Sequence, residues 1–337
     1  MCSFSIIIPV KPGGHVAAIQ HINRIIPDDK SYEVLLAEGS APSRQRNRAA
    51  HEAVGDVLYF LDDDSLIAAE NFALCSAGMS DPSVAVVGGP SITPTDDTWL
   101  QQLFGAALSS AFGSGPVLNR YRSDGQIRVT TDKELILCNL AVRRSVFIDL
   151  EGFNECLYPN EENEFLERVL LAGYKLLHDP SLRVYRSQRR SLKAFVRQIF
   201  AYGRGRGQQT LITSKYSVTS FIPLFFVIYL AIALICIKYV LLLTPLVIYL
   251  AAALFSSLRV VIASGRLSSL LLLGIYPLMH IVNGLGLLWG LLNGKPATTG
   301  NSPIVITKIK SFRDESLEKK PGEHDGVSGQ RALRDVQ

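Results

Sequence analysis

The sequence predicts an α/β chain: a doubly wound, mostly parallel sheet, followed by C-terminal transmembrane or interfacial helices. Two observations carry that prediction. Over residues 1 to about 90, short β-branched runs alternate with helical stretches, the pattern of a parallel sheet wound by helices. Over residues 221–293, three uncharged apolar runs follow one another, each near the ~20 residues a helix needs to cross a bilayer.

The elements read in order as follows. Ile6–Val10 is apolar throughout, as a strand buried on both faces should be. A helix over about His15–Ile26 precedes a second strand at Glu33–Ala37. Ser43–Val54 reads as a helix ended by Gly55. Asp56–Leu61 and Val84–Val87 are the third and fourth strands. Trp99–Phe112 reads as an amphipathic helix broken at Gly113–Gly115. From Glu134 onward the pattern is strand, helix, loop and long helix. Pro159 and Asn160 precede a helix to about Ala172, closed by Gly173. A further helix covers Ser191 to about Tyr202.

The apolar runs are Phe221–Ile237, Tyr239–Leu258 and 267–293. Arg204, Arg206 and Lys215 precede the first run and place the N-terminal domain in the cytoplasm. Arg259 and Arg266 mark a cytoplasmic loop before the third. Three full spans put Lys295, Lys308, Lys310 and Arg313 on the far side, against the same rule. Either the third run is re-entrant or interfacial, or the bias of the tail is overridden. The expected division is 1–215 as a cytosolic domain, 216–294 as membrane helices and 295–337 as a polar, partly disordered tail. The location this predicts is the inner cell membrane, multi-pass.

Composition excludes several classes. A net charge of +4 is too small to argue for nucleic acid. The five cysteines form no CxxC pair, fit neither a zinc site nor a disulfide framework, and suit a reducing cytosol. Ser3–Val10 lacks the basic start and long apolar core of a signal peptide.

The strongest chemical feature is Asp62-Asp63-Asp64, directly after the third strand. Adjacent carboxylates repel unless a cation compensates them. The carboxyl ends of strands in open parallel sheets are where ligands bind. Asp62 and Asp64 can there hold a hard divalent cation, Mg2+ or Mn2+, and a ribose hydroxyl. The plain alternative is a solvated turn with Asp64 or Ser65 capping the next helix.

Several blocks, in order, resemble glycosyltransferase family 2 enzymes of the GT-A fold: SIIIPV at 5–10, EVLLAEGS at 33–40, RQRNRAAHEAVGDVLYFLDDDS at 44–65, CNLAVRRSVFIDLEGFNE at 138–155 and NEENEFLERVLLAGYKLLHDP at 160–180. The resemblance implies a nucleotide base near Pro9 and Glu38. The family usually has Asp at the latter position, so Ala37-Glu38-Gly39-Ser40 departs from it. It implies Asp62 on the ribose and Asp64 on the metal. In Glu161-Glu162-Asn163-Glu164 it implies Glu162 as catalytic base, with Glu in place of the usual Asp and Glu161 as a rival. One carboxylate near the acceptor hydroxyl and a cation near the departing diphosphate are what sugar transfer requires. First-turn glutamates also suit the helix dipole, at ~0.3–1 kcal/mol each.

Arg204 and Arg206, within Tyr202–Gly207, sit where processive members carry Q/R-x-x-R-W, but the tryptophan is absent. Arginines there suit bidentate phosphate recognition, with glycines letting backbone approach the anion. A stripe facing anionic lipid is the alternative. Arg186 stands where many members have a metal-site histidine. His178 reads as a core residue, and Asn139 as lining the acceptor site. His280 reads as pairing with a neighbouring helix or a headgroup, and Gly284, Gly286 and Gly290 as permitting close helix packing.

The resemblance thus implies an inverting, metal-dependent transferase. Its donor is a nucleoside-diphosphate sugar, a UDP-sugar first, and its acceptor a lipid or lipid-linked glycan. The second expectation is a catalytically degenerate scaffold subunit of a membrane assembly.

Overall fold

The computed structural model describes residues 2–25, 32–294 and 303–311. The strands are β1 (Phe4–Val10), β2 (Tyr32–Glu38), β3 (Val57–Leu61), β4 (Leu66–Ile67), β5 (Val84–Gly88), β6 (Ser91–Ile92), β7 (Arg128–Thr130), β8 (Asn139–Arg143), β9 (Lys175–His178), β10 (Val184–Tyr185) and β11 (Val305–Lys310). The helices are α1 (Ala17–Ile25), α2 (Pro42–Glu52), α3 (Asn71–Gly78), α4 (Trp99–Leu108), α5 (Ala111–Ser114), α6 (Arg144–Asp149), α7 (Glu161–Leu171), α8 (Leu192–Thr213), α9 (Val218–Ile235), α10 (Thr244–Ser264) and α11 (Leu272–Leu292).

The central sheet has the order β11-β2-β1-β3-β8-β5-β9-β7. β2, β1, β3, β5 and β9 run one way, and β8, β7 and β11 run against them. Both faces are covered. Phe4, Ile6 and Ile8 enter one core and Ile7 the other; along β3, Tyr59 and Leu61 alternate with Leu58 and Phe60. Successive side chains of a strand point to opposite faces, so unbroken apolar runs of this kind belong in a sheet with helices on each side.

A third core joins this unit to the apolar helices. Leu103 and Phe104 of α4 and Phe195 of α8 pack with Ala253 of α10 and Tyr276 of α11. The Phe104 and Phe195 rings stack with centroids 4.0 Å apart.

Two expectations are corrected. Helix α8 does not stop near Tyr202 but runs to Thr213, through three glycines. Glycine weakens a helix by ~1 kcal/mol against alanine. At Gly203 and Gly207 the backbone of α11 occupies the space a side chain would take, and at Gly205 that of Pro159 does. A Cβ on Gly203 would lie 2.1 Å from the Asn283 carbonyl, and one on Gly286 2.3 Å from that of Phe200. Gly290 approaches the Arg204 carbonyl in the same way, and Gly284 that of Pro223. The expected close packing of Gly284, Gly286 and Gly290 is therefore seen.

The polar tail is not irregular throughout. Val305–Lys310 adds to the sheet as β11, antiparallel to β2. Lys308 Nζ lies 3.0 Å from the buried Glu33 carboxylate, and Lys310 Nζ sits 3.5 Å from the Tyr32 ring centroid. Alternating Val305, Thr307 and Ile309 form a β pattern that overall polarity hides. Lys295, Arg313 and the end of the tail lie outside the described residues.

Candidate active site

Pro9, Glu38 and Asp62 lie at the carboxyl ends of β1, β2 and β3, which are adjacent in the sheet. Side chains from α2 brace these ends. Gln45 Nε2 donates to the carbonyls of Val10 at 2.9 Å and Ala37 at 2.5 Å. Glu38 Oε1 accepts from the Gly13 amide at 3.1 Å, tying the loop after β1 to the end of β2.

Arg46, one residue further along α2, joins the two acidic clusters. It is buried, and its Nη2 donates to Asp62 Oδ1 at 2.8 Å while its Nη1 donates to Glu161 Oε1 at 3.0 Å. On the other side of Asp62 stands Arg186, which follows β10. Its Nη2 is 3.2 Å from Asp62 Oδ2 and its Nε 2.6 Å from Asp64 Oδ1. Burial works to raise Asp62, but the Arg186 and Arg46 guanidiniums outweigh it and hold the carboxyl below its ordinary range. Asp63 has no such partners. Burial, then the charges of Asp64 and Asp62, push it up. Burial also pushes Glu161 up, against the pull of Arg46.

Glu162 points elsewhere. It lines a cavity of about 220 Å³ together with Arg120, Tyr121, Lys133, Tyr202 and Arg206. Arg120 Nη1 lies 3.6 Å from Glu162 Oε1, and Arg120 also donates to the Asn163 side chain and to the Asp132 and Lys133 carbonyls. Tyr121, Ile136 and Tyr202 line both this cavity and a small cleft reached by Arg186. Glu162 thus faces the larger cavity, and Arg186, the partner of Asp62 and Asp64, lines the adjoining cleft.

Among the described residues no three His, Cys, Asp or Glu side chains cluster as a self-sufficient metal site. The carboxylates of Asp62 and Asp64 still offer the hard oxygens that Mg2+ or Mn2+ prefers, and Asp64 is 46% exposed. They would serve such an ion as two partial ligands. Arg186 replaces any histidine there and already shares both carboxylates.

Three sequence expectations change. Tyr202–Gly207 forms no glycine-lined anion loop; its glycines serve helix packing. Arg204 Nη2 donates to the Tyr158 carbonyl at 3.3 Å, and Arg206 Nη1 lies 4.0 Å from Asp132 and lines the Glu162 cavity. The contacts of both lie away from Asp62 and Asp64. Asn139 does not line an acceptor site. It is fully buried in β8, accepting from the Tyr59 hydroxyl at 2.7 Å and donating to the Leu182 carbonyl. His178 is a core residue beside the Asn119 carbonyl, and His280 Nδ1 pairs with the Tyr249 hydroxyl of α10 at 2.8 Å.

Sequence reasoning missed Arg46 and Arg120. Arg46 lies 115 residues from Glu161 in the chain, which gives no cue to their pairing. Arg120 sits in a 3-10 turn with no periodicity to read.

An α/β sheet with one acidic cluster at the end of β3 and a second at the start of α7 is the arrangement of a glycosyltransferase of the GT-A fold that uses nucleotide sugars. Residues 57–292 match the model of Glycosyl transferase family group 2, and the chain belongs to that family. A search of curated proteins finds no significant sequence match. Among solved structures, the mannosyltransferase PcManGT from Pyrobaculum calidifontis, in complex with GDP-Man and Mn2+, is similar at 16% identity and a TM-score of 0.51. The match covers 87% of this chain and 88% of that one. S. aureus TarS in complex with UDP-GlcNAc matches more weakly, at 14% identity and a TM-score of 0.43, over 62% of this chain and 66% of that one.

Proposed function

We infer that this glycosyltransferase moves a sugar, with inversion, from a nucleoside-diphosphate sugar to a hydroxyl of a membrane lipid or lipid-linked saccharide. The observation that carries the reading is Arg46, which ties the end of β3 to the start of α7. Both acidic clusters therefore meet at one place, as donor activation and acceptor deprotonation require.

In this reading the base of the nucleotide, uracil in a UDP-sugar, lies against Pro9 and Glu38. Asp62 takes the ribose and Asp64 the diphosphate side. When bound there, Mg2+ or Mn2+ neutralises charge on the diphosphate. Glu162 removes the proton of the acceptor hydroxyl. Glu161 is held by Arg46 and acts as a brace, which favours Glu162 of the two. Arg186 stabilises the Asp62 and Asp64 carboxylates.

Residues 1–215 make the catalytic unit, with β11 completing its sheet, and 216–294 attach it to the membrane. Three segments, 218–235, 240–264 and 267–292, are long and apolar enough to cross a bilayer. Pairing of β11 with β2 supports an arrangement in which the chain returns to the side it left, by an even number of crossings. The hairpin of α9 and α10 supplies two. The third segment is 44% buried within the protein, against 11% for each of the others, and lies along α8 without crossing. In this reading Lys308 and Lys310 lie with the catalytic unit on the cytoplasmic side of the inner membrane, which the positive-inside rule supports.

The test is turnover of a panel of labelled nucleotide sugars by the full chain in detergent, with and without Mn2+. Asp64→Ala should lose metal-dependent donor binding. Glu162→Gln should lose turnover while keeping donor affinity. Donor binding without turnover by the unmodified protein, across acceptors, would support the scaffold alternative instead.

A further inference from the structure

A second cavity, of about 470 Å³, lies between the end of α4, the start of α5 and the last turns of α10. It shares no lining residue with the cavity beside Glu162. Two arginines reach it from separate parts of the chain: Arg122, in the segment between α5 and β7, and Arg259 of α10. None of the described residues that line it is acidic. Asp124, outside the lining, is 61% exposed and lies 3.2 Å from Arg122 Nη2. Arg259 makes no ion pair among the described residues and stands 6.0 Å from the Phe255 ring centroid. The remaining walls are small, among them Ala106, Ser110, Ala263 and Ser264. The Ser110 and Ser264 hydroxyls donate to the Ala107 and Val260 carbonyls at 3.0 Å and 2.7 Å, which leaves the guanidiniums to donate to a ligand. Arg259 precedes the end of α10 by five residues, about 7.5 Å. A headgroup layer is roughly 5–8 Å deep, so this is the level of lipid phosphates. Phe255, one turn deeper, and Leu258 are exposed.

We propose that this cavity holds the head of an anionic glycerophospholipid of the cytoplasmic leaflet, its phosphate between Arg122 and Arg259 and its acyl chains along Phe255 and Leu258. This rests on the reading of α10 as a membrane crossing and not on the role of Glu162. Charge selects the head. Arg122, Arg259 and Asp124 sum to one positive charge, which a phosphodiester brings to zero, and guanidiniums suit phosphate oxygens. A zwitterionic head would bring an ammonium for which the lining offers no carboxylate. The apolar neighbours select the source: free phosphate gains only the charge contact, whereas a lipid also covers the exposed surface of α10. The site has a mechanical consequence. Arg122 is two residues beyond Arg120, whose guanidinium stands 3.6 Å from Glu162, so a lipid held there ties that segment to the leaflet.

The probes are dioleoyl phosphatidylglycerol, dioleoyl phosphatidylcholine and inorganic phosphate, added to the full chain in a neutral detergent. Thermal stabilisation measures binding. Phosphatidylglycerol should stabilise the protein in a saturable way, and the other two should need at least ~10-fold higher concentration, the worth of one charge-assisted contact. Arg259→Gln and Arg122→Gln should each weaken phosphatidylglycerol by roughly tenfold and leave phosphatidylcholine unchanged. Arg266→Gln removes a charge from the same end of α10 but outside the lining, and should have no such effect. Equal stabilisation by the two lipids overturns the anionic head, and equal stabilisation by inorganic phosphate overturns the lipid. Unchanged affinity in Arg259→Gln overturns the site, as does an equal loss in Arg266→Gln. Flotation with phosphatidylcholine vesicles is measured on the same samples. A chain that floats but does not prefer phosphatidylglycerol refutes only this inference. A chain that does not float refutes the membrane crossing.

Discussion

Arg186 Nε donates to Asp64 Oδ1 at 2.6 Å, and the same guanidinium reaches Asp62. A fixed cation therefore shares the carboxylates proposed to hold a divalent ion, and the two would compete for them. Arg186→His removes the competitor and supplies a neutral imidazole. Mn2+ affinity, followed by electron paramagnetic resonance, should rise at least ~10-fold, equivalent to about 1.4 kcal/mol. Unchanged affinity would place the ion elsewhere.

In the proposed mechanism Arg46 and Glu161 set geometry and Glu162 takes the proton. Glu161→Gln keeps a hydrogen-bonding group but removes the charge that holds one arm of Arg46. Its effect should fall mainly on donor KM and on stability, by about 1–3 kcal/mol for a weakened buried charge pair. Glu162→Gln should fall on kcat, by ~10²–10⁴-fold as for loss of a general base. The contrast between the two variants in one kinetic series checks the assignment.

The loop that carries Arg120 and Lys133 is pinned by Glu134, which accepts from Arg128, Asn119 and Thr130. Burial works to raise Glu134, but these donors, Arg128 first, lower it from 4.5 to about 2. Its folded pKa is depressed, so its contribution is fully present above pH 4.5 and is lost as pH falls toward 2. Melting curves of the parent and Glu134→Gln should differ most near neutrality. The gap should close between pH 4.5 and pH 2.

Helices α8 and α11 meet through glycines, so a methyl group is enough to part them. Gly203→Ala puts a carbon 2.1 Å from the Asn283 carbonyl and should cost about 1–3 kcal/mol. Gly274→Ala, in α11 where nothing lies within 4 Å, should be neutral or slightly stabilising. Thermal unfolding in detergent distinguishes them; equal effects would mean that the helices do not pack as described.

The strands were legible because each is a β-branched run between turn residues, and the acid triplet because it follows one directly. What the sequence hid is of two kinds. The partners of the acids, Arg46, Arg120 and Arg186, lie 16 to 122 residues from the carboxylates they serve, and local patterns carry no record of such pairings. The second kind is context reversing a residue's usual meaning. Glycines in Tyr202–Gly207 read as a loop, yet they are helical because another backbone fills their empty side. Val305–Lys310 reads as tail, yet its alternation is satisfied once β2 offers an edge.

Lys308 also neutralises Glu33, which is 1% exposed and accepts from the Ser5 hydroxyl at 2.6 Å and the Val54 amide at 2.8 Å. Lys308→Gln leaves those two bonds in place and should cost about 1–2 kcal/mol, less than a wholly buried pair because Lys308 is 38% exposed. Denaturant titration checks the value. A membrane-impermeant maleimide should label Val305→Cys only from the side that carries the catalytic unit.

Strand β11 has a consequence for how the protein survives its own synthesis. Until residues 305–310 emerge, β2 ends the sheet with an open row of amides and carbonyls, an invitation to pair with a neighbouring copy. The last strand among the described residues, bearing two lysines, closes that row. The apolar segments 218–292 precede β11 in the chain, so the sheet is sealed only after they have been made.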